Sequence, residues 1–308
     1  MGRKRRHHYV PRFYLEGFSD PNNFPSIWIY EKGNPEIRRQ RAENIAFERD
    51  YYSFHLPSGE IDSETIENAL AELESRAAPL LKKIETQVDL NEEEKRLFSN
   101  FLAYSMTRVP NYRRNMEDMS GKLIKNVMLR VTADQIGFER KLKKYEKVRG
   151  EKYRTFVEKY MDTAINEGFL KKEFSEFSLG MIDLAREFAA VFNAMNWSFL
   201  EASDEQGYLT SDNPVYYFDP TYRQGFDGVG LLNDNTEAYF PVSKNIMLMA
   251  NWKNIKGYHR LQNFDIRAIN RRTVIFAQKF VFASNRSTGI SKLVDKYKDS
   301  HPKMVVAS

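Results

Sequence analysis

Apolar residues at Ile66, Leu70, Leu73, Ala77, Leu80 and Ile84 recur at steps of three and four, the spacing that lines one face of an α-helix. Asp62 stands where an N-cap belongs, and Ile61 with Ile66 has the spacing of a hydrophobic staple. Asn91 followed by Glu94 predicts a capping box that opens a second helix, running to about Val109 before Pro110. Further helices are expected over 111–170, with the basic run ERKLKKYEKVRG exposed. Another near 176–195 buries Ile182, Ala185, Phe188, Ala189 and Phe192. At Trp197 the period changes. WSFLEA, YLTS, VYYF, AYFPV and IMLMA are short β-prone runs separated by Gly, Asn, Asp and Pro, the signature of strands and turns. A helix returns at roughly 264–278, capped by Asp265, with Ile266, Ile269, Val274 and Phe276 inward. KFVFAS closes as a helix end or a strand.

Before these elements the pattern is shorter-ranged. Pro11 suits the first turn of a short helix through Phe18, ended by Asp20-Pro21-Asn22-Asn23. SIWIYEK reads as a strand, with Gly33-Asn34-Pro35 turning into a second short one. RAENIAFERDYYSF reads as one or two helical turns and a brief strand. The expected class is α+β, with a helical middle region packed against a small mixed or antiparallel sheet built from N-terminal and C-terminal segments. One interleaved domain is expected over 1–308. It comprises a basic flexible arm at 1–6, a short α/β segment at 7–60, a mainly helical region at 61–196, and a β-rich region with a C-terminal helix at 197–308.

Composition narrows the classes. The 308 residues are 42% apolar and 14% aromatic, enough for a core and unlike a disordered chain. No cysteine is present, which removes disulfides, thiolate metal sites and cysteine nucleophiles. No apolar run reaches the roughly 18 residues that span a bilayer, so a cytoplasmic protein with no membrane partner is expected. The net charge of +5 is unevenly spread: residues 1–41 hold nine Lys/Arg against four Asp/Glu. Residues 42–110 are acidic and 111–150 basic again. Such blocks suit either a polyanion-binding face or ordinary solvated helix faces.

Four constellations could carry chemistry. His7 and His8, followed by Arg12, supply proton-exchanging groups beside a cation that can clamp phosphate. Adjacent histidines on a strand point to opposite sides, so one at most faces a site. In LTSDNPV, Pro214 stops a strand and leaves Asp212 and Asn213 at its end, where Asp212 could orient a histidine or bind a metal, or merely close an Asx-turn. Arg108 lies in register with Leu97, Phe101 and Tyr104, so it must find a partner or point into a cleft. Glu67 and Glu74 share a helix face and could hold a divalent ion or lie solvated on the flank. No Gly-rich phosphate loop, GxSxG elbow, HExxH or Cys/His zinc spacing occurs.

The strings HHYVPRFYLEGF, ENIAFERDYYS, IDSETIENALAELESRAAPLL, SMTRVPNYR, YLTSDNPV, YFPVSKNIMLM and IRAINRRTVIFAQKFVFAS follow one another in this order. Together they resemble the bacterial family known as domain of unknown function 4238. The resemblance brings forward His8, Pro11, Arg12, Glu67, Arg108, Asp212, Asn213 and Pro214 and supplies no reaction. Where that family's pattern has Arg or Lys after FYL, this chain has Glu16. The expectation that follows is one assembled site pairing His8 with Asp212. It would serve a nuclease acting on RNA or DNA, as a bacterial defence or toxin effector. His8, Arg12, Arg108, Asp212 and Asn213 would be catalytic, Asp212 and Glu67 would hold Mg2+ or Mn2+, and Arg3, Lys4, Arg5, Arg6, Lys143 and Lys144 would track the phosphate backbone. Tyr9, Phe13 and Tyr14 could stack on bases, although Phe13 suits a core position. The rival is a non-catalytic module binding nucleic acid or protein, with the His and Asp motifs structural.

Overall fold

Short strands from the two ends of the chain meet in one sheet because each is too short to bury its apolar side alone. A computed structural model describes residues 5–56, 58–116, 143, 177–202, 207–221 and 230–300. β1 (Arg6–His8) leads through a five-residue helix α1 (Arg12–Glu16) to β2 (Ser26–Glu31) and β3 (Asn34–Arg41). A 3-10 turn, Ala42–Asn44, then carries the chain to β4 (Phe47–Arg49), which pairs antiparallel with β1. β5 (Phe54–His55) and β6 (Ile61–Asp62) form a small antiparallel pair.

Three long helices follow among the described residues: α2 (Thr65–Glu85), α3 (Glu92–Thr107) and α4 (Phe177–Ala194). The capping box at α3 is complete, with Asn91 accepting from the Glu94 backbone and Glu94 accepting from that of Asn91. Asp62 accepts from the backbone N–H groups of Glu64 and Thr65 and from the Thr65 hydroxyl, closing the entry to α2. Residues 110–116 are helical. The helices expected beyond them, and the basic run at 139–150 apart from Lys143, lie outside the described residues. Lys143 itself is exposed.

Beyond those two small pairs, the described strands form two larger sheets, where one sheet was anticipated. Four antiparallel strands run in the order β3, β2, β13 (Phe280–Ala283), β8 (Thr210–Ser211), which joins both ends of the chain. Five more come wholly from the C-terminal half, in the order β12 (Gly257–Arg260), β7 (Asn196–Glu201), β11 (Ile246–Asn251), β10 (Glu237–Pro241), β9 (Tyr216–Phe218). Only the β12–β7 pair in it is parallel. Every residue of the central strand β11 is buried. Its even-numbered residues Ile246, Leu248 and Ala250 pack into the core shared with the helices, while Met247 and Met249 pack with Ile266 and Ile269. Those two isoleucines belong to α5 (Asn263–Phe276), so the sheet is covered on both faces. That is why IMLMA is an unbroken apolar run. KFVFAS resolves as strand β13. Gln262 takes the N-cap position of α5, with Asp265 in its first turn. A last helix, α6 (Thr288–Lys296), was not expected from the sequence; Ser287 caps it by accepting from the Ile290 backbone N–H.

Candidate functional site

β1 is extended, so its two histidines diverge as alternation requires. His7 is fully buried, and its Nδ1 accepts the Tyr52 backbone N–H at 2.9 Å. The Tyr52 ring lies stacked on His7, with 9° between the planes, and the Tyr52 hydroxyl donates to the His8 carbonyl at 3.0 Å. His7 is thereby a structural imidazole with its proton on Nε2. His8 is half-buried, and its Nε2 faces the Glu43 carbonyl at 3.3 Å. A carbonyl can only accept, so that contact fixes the proton of the neutral ring on Nε2 and leaves the Nδ1 lone pair open as a base. Burial lowers the His8 pKa from its ordinary 6.5, against the Glu43 carbonyl and Glu74, which raise it. The neutral ring is therefore favoured near neutral pH.

The TSDNP segment does other work than expected. Asp212 is buried, and its two oxygens accept the backbone N–H groups of Gln278, Lys279 and Phe280 at 2.8, 2.8 and 2.9 Å. The Asn213 amide donates to the Phe276 carbonyl at the end of α5. Lys32 completes this clasp, donating to the carbonyls of Ile275, Ala277 and Ser300. Burial pulls the Lys32 ammonium down to about 8, although carbonyl acceptors at a helix C-terminus favour its charged form. Burial likewise pushes the Asp212 carboxyl up, against its three N–H donors and Lys32. The expected pairing of Asp212 with His8 is thus corrected: Asp212 and Asn213 staple the α5–β13 turn, and Asp212 is not the group that fixes the His8 tautomer. The two motifs do meet, through a different pair. Tyr14 shares a 2.7 Å hydrogen bond with the Thr210 hydroxyl and donates to the Pro241 carbonyl at 2.8 Å.

A second cluster does assemble from the expected residues. Arg108 follows the last turn of α3 and is 1% exposed; its Nη1 donates to Glu74 Oε1 at 2.7 Å. Burial works against this charge, yet Glu74, Tyr52 and Glu67 hold the Arg108 pKa above its ordinary value. The Arg108 Nε, also buried, has no hydrogen-bond partner among the described residues. The fields of Glu74 and Arg108 both reach His8. Segments from β1, residue 52, α2 and α3 thus place His8, Tyr52, Glu67, Glu74 and Arg108 in one electrostatic neighbourhood. Being buried, Arg108 positions this cluster and does not present its guanidinium to a ligand. The expected metal pair is corrected as well, since Asp212 is bound within the turn clasp while Glu67 belongs to the Arg108 cluster. Among the described residues no three His, Asp or Glu side chains group as metal ligands.

The sequence model of the family described as protein of unknown function (DUF4238) matches residues 6–287. The chain belongs to that family. No curated protein and no solved structure matches it. In this DUF4238 chain the motifs that mark the N-terminus and the TSDNP segment are therefore joined chiefly as architecture, with His8 half-buried at their edge.

Arginines and glutamates pair around His8. Arg12 is exposed and pairs with Glu16 at 2.8 Å and with Glu43 at 3.7 Å, so the departure at Glu16 partly neutralises it. Arg41 reaches the same Glu43 at 2.9 Å, and Arg6 donates to Asn44 while lying over the Phe47 ring. Arg5 pairs with Asp50 at 2.9 Å. The expected arm is accordingly shorter, because Arg6 already belongs to β1 and Arg5 is held by Asp50. Arg3, Lys4 and Lys144 lie outside the described residues. Tyr9 and Tyr14 are buried and Phe13 packs on Phe101, so these rings serve the core and not base stacking. Sequence reasoning missed Tyr52, Glu43 and Arg41. No local pattern marks them, since their roles depend on the 3-10 turn and β4 folding back beside β1.

Proposed function

We propose that this protein is a phosphodiester hydrolase acting on nucleic acid, with His8 as its proton-transfer group. One observation supports the reading: a half-buried His8 with an open Nδ1 adjoins the turn Ala42–Asn44, where Arg12 and Arg41 pair with Glu43, Arg12 pairs also with Glu16, and Arg6 donates to Asn44. Three guanidiniums against the two carboxylates of Glu16 and Glu43 leave an excess of positive charge suited to a phosphate backbone. In the reaction, His8 Nδ1 takes a proton from water as its oxygen bonds to phosphorus. The bond to the leaving sugar oxygen breaks, and that oxygen takes a proton from solvent. Arg12 offsets the charge growing on the phosphoryl oxygens. Arg108 and Glu74 act behind His8, setting the field in which it titrates.

A second reading, a binding module without catalysis, is favoured by one specific fact. His7 Nδ1, both Asp212 oxygens and the Asn213 amide nitrogen are engaged in structural hydrogen bonds. Labelled single- and double-stranded RNA and DNA, incubated with and without Mg2+ or Mn2+, separate the two. Cleavage that disappears in His8→Ala, with binding kept, supports the hydrolase. Binding without cleavage under every condition supports the module, and cleavage unchanged in His8→Ala removes His8 from the mechanism.

A further inference from the structure

A cavity of about 750 Å3 opens between α5 and α6, and none of the residues lining it belongs to the His8 cluster. Its volume lies within the roughly 300–1,000 Å3 typical of small-molecule sites. One wall carries Arg267 and Arg271, a helical turn apart on α5 and therefore on one face. The opposite wall is the loop through Ser284, Asn285 and Ser287 with the start of α6, and Leu209, Ala283, Ile290 and Leu293 give it an apolar side. No described lining residue is acidic.

Both walls are held by bonds that need no ligand. Asn270 accepts the Leu209 N–H at 2.9 Å and donates to the Gly207 carbonyl at 2.9 Å, tying that strand entry to α5. Gly207 also lies against the next turn, where a Cβ would meet the Lys244 carbonyl oxygen at 3.1 Å. Across the cavity, the Tyr30 hydroxyl donates to the Asn285 carbonyl at 3.0 Å and accepts the Ser287 N–H at 2.7 Å. A cavity whose walls are fixed in advance loses little entropy when a ligand enters. Two arginines one turn apart match the oxygens of a phosphate, and the N-terminal turn of α6 adds the positive end of its dipole to the same space. A phosphate alone would leave the apolar side and most of the volume unused.

We propose that this cavity binds a nucleoside phosphate. Its phosphate lies between Arg267 and Arg271, its base rests on Leu209, Ile290 and Leu293, and its sugar hydroxyls reach Ser284 and Asn285.

Calorimetric titration of the full-length protein with AMP, ADP, adenosine, inorganic phosphate and octanoate tests this. AMP or ADP should bind saturably, while adenosine and inorganic phosphate each bind at least about tenfold more weakly, because each offers half of the recognition. Arg267→Ala/Arg271→Ala should weaken nucleotide binding by about tenfold or more. Ala268→Phe, which fills the cavity without touching charge, should abolish it. Both arginines are exposed, so their replacement leaves the fold intact, and a thermal melt by circular dichroism checks that for all variants. His8→Ala should bind nucleotide like the parent protein, which keeps this site separable from the proposed hydrolase. Absence of saturable nucleotide binding would overturn the proposal. So would octanoate or phosphate binding as tightly as nucleotide, or affinity unchanged in the double-arginine variant.

Discussion

Arg108 is among the largest fully buried side chains, and its charge is tolerated because Glu74 meets it directly. Removing one partner of such a pair leaves an uncompensated buried charge, whereas replacing both need not be harmful. Glu74→Ala should therefore cost about 3 kcal/mol in urea unfolding, and adding Arg108→Met to it should restore part of that loss. If the double substitution is as costly as the sum of the two singles, the pair is not a coupled unit. His8 yields a pH prediction with a defined sign. Its pKa is lowered in the folded state, so the unfolded chain takes up the proton first as pH falls below about 6.5. The stability His8 contributes is full above that value and is lost as pH drops towards its folded pKa. Urea midpoints measured across that range should fall more steeply for the parent than for His8→Gln; parallel curves would remove His8 as the cause.

At the scale of elements, the α5–β13 turn depends on groups supplied from elsewhere in the chain. α5 ends with carbonyls that need donors, and the following turn presents three N–H groups that need acceptors. Lys32 and Asn213 supply the donors and Asp212 the acceptors. Asp212→Ala leaves those N–H groups without their acceptor and should cost about 3 kcal/mol. Asp212→Asn, which keeps one accepting oxygen, should cost less. Chemical denaturation distinguishes the two, and equal, small losses would show that water replaces the carboxylate. Cleavage activity retained in folded Asp212→Asn is the outcome consistent with a structural role. The same logic explains what was legible here. A strand ending in Ser-Asp-Asn-Pro announces a turn, but the sequence does not say whose backbone the aspartate will bind.

At the scale of the whole molecule, Tyr14 is one of the links between the two ends of the chain. One hydroxyl joins α1 to β8 and β10 in the buried core, through Thr210 and Pro241. Tyr14→Phe keeps the ring, which stacks on Phe240, but leaves the Thr210 hydroxyl and the Pro241 carbonyl short of a partner. A loss of about 1–3 kcal/mol is expected. A change in thermal melting too small to resolve would count against this junction. Because the link closes a loop of nearly two hundred residues, no local pattern could reveal it. What the sequence did show was that both strings are special; it misled on which of their residues meet.

Periodicity by itself determined α2, the capping box of α3, the apolar face of α4 and the short strands after Trp197, because each of these follows from residues within a few positions of one another. It also determined that His7 and His8 would face opposite ways. Only the tertiary structure decided that the strands divide into two larger sheets and two small pairs, since partner choice depends on which faces are left to bury. It alone placed α6 against the sheet from the chain ends and opened the cavity beside it. It decided, too, that Asp212 serves a turn while Glu74 and Arg108 stand near His8. A side chain's type sets what it can bond to, and its neighbours in space set which of those bonds it makes.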